Sequence, residues 1–143
     1  MNDFRNTKSC FAIYRILHLV PYFMVIIPLL ASCNAAPSTP DKAAELFLHS
    51  LQDGRFSDAL RLSDDDSKPV VLAIESISRD LPPEQRAIVS GVPNGDLHIT
   101  GTKITGPNAD VSYSVGGGPN EVLRVASNNG VWKVRFQGRN IFP

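Results

Sequence analysis

The sequence predicts an α+β body in which helices come first and a curved antiparallel sheet follows. Three observations predict it. From Thr39 to Gly91 apolar residues recur at helical spacing, whereas from Asp96 to Phe136 they alternate at period two. The breaks in the second half carry the Gly, Asn and Pro chemistry of tight turns. Strands joined by such turns pair antiparallel, and a sheet with one apolar face needs a cover, which the preceding helices supply.

Each element has its own local reason. Thr39 is a good N-cap, Pro40 suits the first helical position, and Asp41 favours the positive end of the helix. Ala43, Leu46, Phe47 and Leu51 form the stripe of this first helix, Ala44 and Leu48 widen it, and Gly54 ends it. A short second helix is expected in "FSDALRLS". The acidic turn "SDDDSKP" follows. Consecutive carboxylates at 64, 65 and 66 project in different directions and lack the alternating D-x-D-x-D-G spacing of a calcium loop, so no metal is expected there. Residues 69–80 read as a third helix, with Val70, Ile74 and Ile77 on one face beside Val71 and Ala73, stopped by Leu81-Pro82-Pro83. Pro83-Glu84 opens a last helical stretch that Gly91 closes.

Four strands are expected after it. "DLHITGTKIT" alternates Leu97 and Ile99 against His98 and Thr100, and "ADVSYSV" alternates Val111, Tyr113 and Val115 against serines. "EVLRVAS" follows, then "VWKVRF", with Trp132, Val134 and Phe136 opposite Lys133 and Arg135. Asn129-Gly130 is the strongest hairpin signal, because tight hairpins need positive φ at both central residues.

The whole chain has 143 residues, enough for one domain and hardly for two. Its 14 basic and 14 acidic residues balance. That balance leaves no electrostatic footprint for nucleic acid and no polybasic membrane-surface segment. Ahead of the body, residues 1–15 carry Arg5, Lys8 and Arg15 against Asp3. Residues 16–30, "ILHLVPYFMVIIPLL", are apolar, and Ala31 and Ser32 are small. This is the three-part layout of a secretory signal. A membrane span is the competing reading, but the run is shorter than the ~20 residues a span needs, and His18, Pro21 and Pro28 interrupt it.

The run ends in Leu30-Ala31-Ser32-Cys33, which resembles the lipobox of bacterial lipoproteins. The resemblance implies that Cys33 carries diacylglycerol, that residues 1–32 are cleaved, and that the new amino group is acylated, palmitate being the expected chain. Two or three acyl chains hold a protein on a bilayer stably, whereas one does so only reversibly. "NAAPSTP" then reads as a tether, so that residues 33–40 link lipid to domain and residues 41–143 form the folded body. Asn34 stands where, in Gram-negative lipoproteins, an aspartate signals inner-membrane retention. The resemblance therefore implies the periplasmic face of the outer membrane. Cleavage also removes Cys10, leaving no second thiol for a disulfide, and takes three basic residues and one acidic, so that 11 basic face 13 acidic residues.

The body resembles the cystatin-like and nuclear-transport-factor-2-like folds, and within them small bacterial lipoprotein domains of unknown function. "TPDKAAELFLHSLQDGRFSDALRL" and the closing hairpin "NNGVWKVRF" carry the likeness. Enzymes of this fold, such as ketosteroid isomerase, place a carboxylate base and an acidic donor inside the cone. Here Asp96 and Asp110 have the wrong parity for the apolar face, and Glu121 sits at a strand start near the rim. His49 and His98 have no acid or cysteine at metal-ligand spacing, no Gly-x-Ser-x-Gly elbow is present, and Gly116–Gly118 joins strands rather than opening a helix. No catalytic residue, metal or cofactor is therefore expected. Phe47, Tyr113, Trp132 and Phe136 are expected to meet between helix and sheet, either as a solid plug or as the wall of a cavity. The functional expectation is a lipid-anchored, non-enzymatic binding or interaction domain. Its partner would be an envelope protein or a small apolar ligand. A ketosteroid-isomerase-like enzyme and a structural subunit of an envelope complex are the alternatives.

Overall fold

The computed structural model describes residues 36–138. Residues 1–32, Cys33 and the first part of the tether lie outside the described residues. Four helices precede four strands: α1 (Pro40–Gln52), α2 (Phe56–Leu62), α3 (Lys68–Ser78), α4 (Pro83–Ser90), then β1 (Leu97–Thr105), β2 (Asn108–Val115), β3 (Glu121–Asn128) and β4 (Val131–Arg135). The sheet is an antiparallel meander in the order β1-β2-β3-β4. The architecture is α+β, with the helices ahead of the sheet.

The entry to α1 follows from its cap. The Thr39 hydroxyl accepts the Lys42 amide at 3.3 Å, and Pro40 opens the helix. Ala43, Ala44, Phe47, Leu48 and Leu51 are buried beneath it, and α1 packs on each of the four strands. Val111, Tyr113 and Val115 of β2, Leu123 and Val125 of β3 and Val134 of β4 meet it from the sheet. The β3–β4 hairpin has positive φ at Asn129 (51°) and Gly130 (79°), the pair of left-handed residues that a two-residue turn matching strand twist requires. The Ser127 amide donates to the Pro107 carbonyl at 2.7 Å and ties the two hairpin tips together.

Two departures from strict periodicity matter. In β1 the register shifts between Ile99 and Gly101, so Thr100 is a bulge. A one-residue shift exchanges the faces of everything beyond it. Thr102 and Ile104 therefore pair with Val111 and Ala109, and Lys103 turns to the outer face opposite Asp110. In α3 the expected Val71 and Ile74 are buried and Val70 packs against the core, but Ala73 and Ile77 are exposed, Ile77 by 50%, and Ser78 is buried instead. The physical reason is size. Ser50, Ser63, Ser67, Ser78 and Ser90 are all buried, and Ser50, Ser63 and Ser90 return their hydroxyls to carbonyls of their own helical turns. A side chain this small lets elements approach where a branched aliphatic would not fit.

The free edge of β4 is covered. Ser63 bridges Val134 in parallel, and the Asp64 amide donates to the Val134 carbonyl at 2.9 Å. The acidic turn is tied down as well. One Asp64 carboxylate oxygen accepts the Ser67 amide and hydroxyl, the other accepts Arg135 Nε at 3.1 Å, and Lys68 Nζ donates to Asp65 at 2.6 Å. That contact with Lys68 holds the Asp65 carboxyl below its ordinary value.

Candidate functional site

All four aromatics border one core: Phe47 and Tyr113 are buried in it, and Trp132 and Phe136 pack against it half-buried. Phe47 is fully buried at the centre of α1, and its ring stands 5.2 Å from that of Phe136 at a 57° tilt. This offset geometry is favourable for aromatic pairs. Phe136 reaches it because the chain leaves the sheet after Arg135, and the Phe136 amide then donates to the Ser67 hydroxyl at 2.7 Å instead of continuing a ladder with β3. Tyr113 is 5% exposed and donates its hydroxyl to Glu121 at 2.9 Å, directly across the β2–β3 pair. Trp132 is half-buried on β4 opposite Ser127, toward the hairpin end and away from Tyr113. Phe47 is thus the plug, Phe136 its partner, and Trp132 a lid over the margin of the core.

The early exit of the chain at Phe136 opens a cleft. β4 pairs with β3 only as far as Arg124↔Arg135, yet β3 begins at Glu121. Beside Glu121, Val122 and Leu123 no strand lies on the β4 side among the described residues. The space left between β3 and residues 136–138 has a volume of about 700 Å³. Tyr113, Glu121, Arg124, Arg135, Phe136 and Gln137 line it, with Asp110, Val122, Leu123 and Gly138 completing the wall. That volume lies within the range of small-ligand sites. Arg124 is 72% exposed and stands 3.9 Å from Asp110, while Arg135 is 46% exposed and is oriented by Asp64.

A second cleft of about 510 Å³ lies where the C-terminal end of α1 meets the start of β1. His49, Asp53, Asp96 and His98 line it, and Gln52 Nε2 spans it to the carbonyls of Pro93 (2.8 Å) and Gly95 (3.2 Å). Among the described residues no three His, Cys, Asp or Glu side chains converge on a position that would hold a metal ion. No helix among them is long and apolar enough to cross a membrane. Cys33 lies outside the described residues. Sequence reasoning noticed Glu121 and Tyr113 singly but missed the cleft between β3 and β4. Its signal is the unequal length of two neighbouring strands, which only register reveals.

Searched against known proteins, the chain matches no family model, no curated protein and no solved structure.

Proposed function

We propose that the chain is a lipid-anchored lipoprotein of the bacterial cell envelope, and that residues 41–143 act as a non-enzymatic binding or interaction domain of cystatin-like or nuclear-transport-factor-2-like architecture. The observation that carries the anchor is the apolar run ending in Leu30-Ala31-Ser32-Cys33, followed at once by a tether with two prolines. The Thr39–Pro40 start of α1 supports the tether boundary, since the first helix of the described residues opens where the linker composition stops. The fold reading is supported by one helix lying across all four strands of a meander. The membrane is the first partner, through diacylglycerol on Cys33 and an acylated amino group. The residue after Cys33 favours the periplasmic face of the outer membrane. An envelope protein or a small ligand is the second partner.

The test is direct. Protein extracted from membranes should be heavier than residues 33–143 by its acyl chains, should incorporate labelled palmitate and should partition into detergent. Cys33→Ser should lose all three properties. Finding an unmodified Cys33 on membrane-extracted protein refutes the anchor.

A second reading, a small-ligand enzyme of the ketosteroid-isomerase type, draws on the Tyr113 hydroxyl meeting the Glu121 carboxylate in a ligand-sized cleft. A donor beside a carboxylate is the pair that proton abstraction needs. That reading requires Tyr113→Phe and Glu121→Gln to abolish a turnover that the wild type shows.

A further inference from the structure

We infer that the end of the body carrying the β1–β2 and β3–β4 turns is the face that lies against the phospholipid bilayer, with Ile104 and Trp132 at the headgroup boundary. This placement rests on the lipid-anchored reading and adds to it which end of the domain faces the membrane.

The tether enters at that end. Pro37 is buried, three residues before α1 opens at Pro40. Only Asn34, Ala35 and Ala36 separate it from Cys33, a reach of about 14 Å at full extension. The nine residues of β1 span about 31 Å, more than twice that reach. With acyl chains on Cys33 in the bilayer, the end of the sheet beside Pro40 is therefore the end held at the surface.

α1 runs antiparallel to β1. Its first turn meets Thr102, whose hydroxyl donates to Asp41, and its last turn meets the segment before β1, where Gln52 donates to the carbonyls of Pro93 and Gly95. β1 continues past Thr102 to the turn at Gly106, about 14 Å further, and every residue from Thr100 to Thr105 is exposed. The β1–β2 hairpin thus projects beyond α1 on the side where the tether arrives. The Ser127 amide, on the Pro107 carbonyl, keeps the β3–β4 turn beside it.

The chemistry of this end suits a membrane interface. Ile104 is 59% exposed. Its register runs through Ala109 and Val125 to Val134, two residues from Trp132, so Ile104 and Trp132 share one face of the sheet. An aliphatic tip beside a half-buried indole fits the headgroup boundary, where the apolar ring and the polar N–H are both accommodated. Lys103 has Asp110 opposite it, so apolar contact rather than attraction to anionic lipid holds this end down. The tether makes the contact intramolecular, so shallow insertion is sufficient. The competing surface is α4, where Ile88 is 78% exposed. That helix sits at the far end of α1: Arg86 lies against Gly54, and Asn94 donates to the Pro83 carbonyl. The length of α1, about 20 Å, separates that end from Pro40.

Trp132 is the single tryptophan, so its fluorescence reports this end alone. Acylated protein purified from membranes is added to vesicles of phosphatidylethanolamine and phosphatidylglycerol with plain or brominated acyl chains. Brominated chains should quench Trp132 by about a third or more, because an interfacial side chain reaches the acyl boundary. A fluorophore on Asn120→Cys, in the β2–β3 connection at the opposite end, should be unaffected. Ile104→Asp should at least halve the quenching of Trp132 with circular dichroism unchanged, and Ile88→Asp should leave the quenching as it is. If Ile104→Asp does not fold, the contrast between Trp132 and the Asn120 label decides. Equal Trp132 emission in plain and brominated vesicles overturns the placement. Equal quenching of the Asn120 label does so too, and quenching lost in Ile88→Asp instead of Ile104→Asp moves the contact to α4. Mass spectrometry of the same sample separates the two readings: acyl chains on Cys33 without quenching refute this placement and leave the anchor standing, whereas an unmodified Cys33 refutes the anchor and this placement with it.

Discussion

Truncating Phe47 to alanine gives the sharpest test of how this core is built. Phe47 is fully buried and faces Phe136 at 5.2 Å. Removing its ring forfeits about 2 kcal/mol of transfer free energy. α1 is clamped on all four strands, so the site can close only partly. A residual void of roughly 80 Å³ adds about 2 kcal/mol more. The expected total of ~4 kcal/mol is a large share of the 5–15 kcal/mol that holds an ordinary domain together. Trp132→Ala, at a half-buried position on the sheet margin, leaves no closed void and should cost at most about half as much. Urea titrations followed by far-ultraviolet circular dichroism read both. With a slope near ~1.3 kcal/mol per molar, Phe47→Ala should lower the midpoint by about 3 M and Trp132→Ala by no more than about 1.5 M. A Trp132 variant as damaged as the Phe47 variant would refute the placement of the plug at Phe47 and move the centre of the core to β4.

Further outcomes follow from single contacts. Thr39→Ala removes the hydroxyl that accepts the Lys42 amide and should destabilise the domain by about 1 kcal/mol, read from the same titration. The Ser78 hydroxyl is buried with no hydrogen-bond partner among the described residues. Ser78→Ala should therefore leave stability unchanged or raise it by up to about 1 kcal/mol, opposite in sign to most buried substitutions. The Asp65 carboxyl is held below its ordinary value chiefly by the hydrogen bond from Lys68, so its contribution is present above the ordinary carboxylate range and lost as pH falls through the lowered value. Carbon-detected NMR titration should show the Asp65 midpoint rise in Lys68→Ala. Residues 41–143 should keep their circular dichroism in chelator and in reductant, because the buried core of the described residues lies wholly within that segment, which contains neither cysteine.

The parts of this fold that could be read in the sequence are those governed by local chemistry. The Thr39–Pro40 entry, the Gly91 stop and the Asn129–Gly130 turn announce themselves because one or two residues determine backbone conformation there. Faces were harder. Hydrophobic spacing assigned Ile77 to the core, but where α3 comes close to its neighbours the buried positions belong to Ser67 and Ser78, which no hydropathy pattern marks. The β1 bulge did leave a trace. Leu97 and Ile99 occupy odd positions and Ile104 an even one, and only an inserted residue brings all three to the same face. The cleft left none, since it arises from where two strands stop pairing. Tyr113, which alternation placed on the apolar face, is buried there with its hydroxyl on Glu121.

The reach of α1 across the sheet also sets the order in which the molecule can assemble. The helix lies at the start of the described chain, and its apolar stripe is sealed by strands that run as far as Arg135. The next helix in sequence, α2, packs on it as well, but its strand partners are distant in sequence, and contacts of such long range form slowly because the intervening loop must first be closed. Until β4 arrives, Phe47 has no Phe136 and Leu48 and Leu51 have only part of their cover. A polypeptide wired in this way stays open while it is being made and snaps shut late.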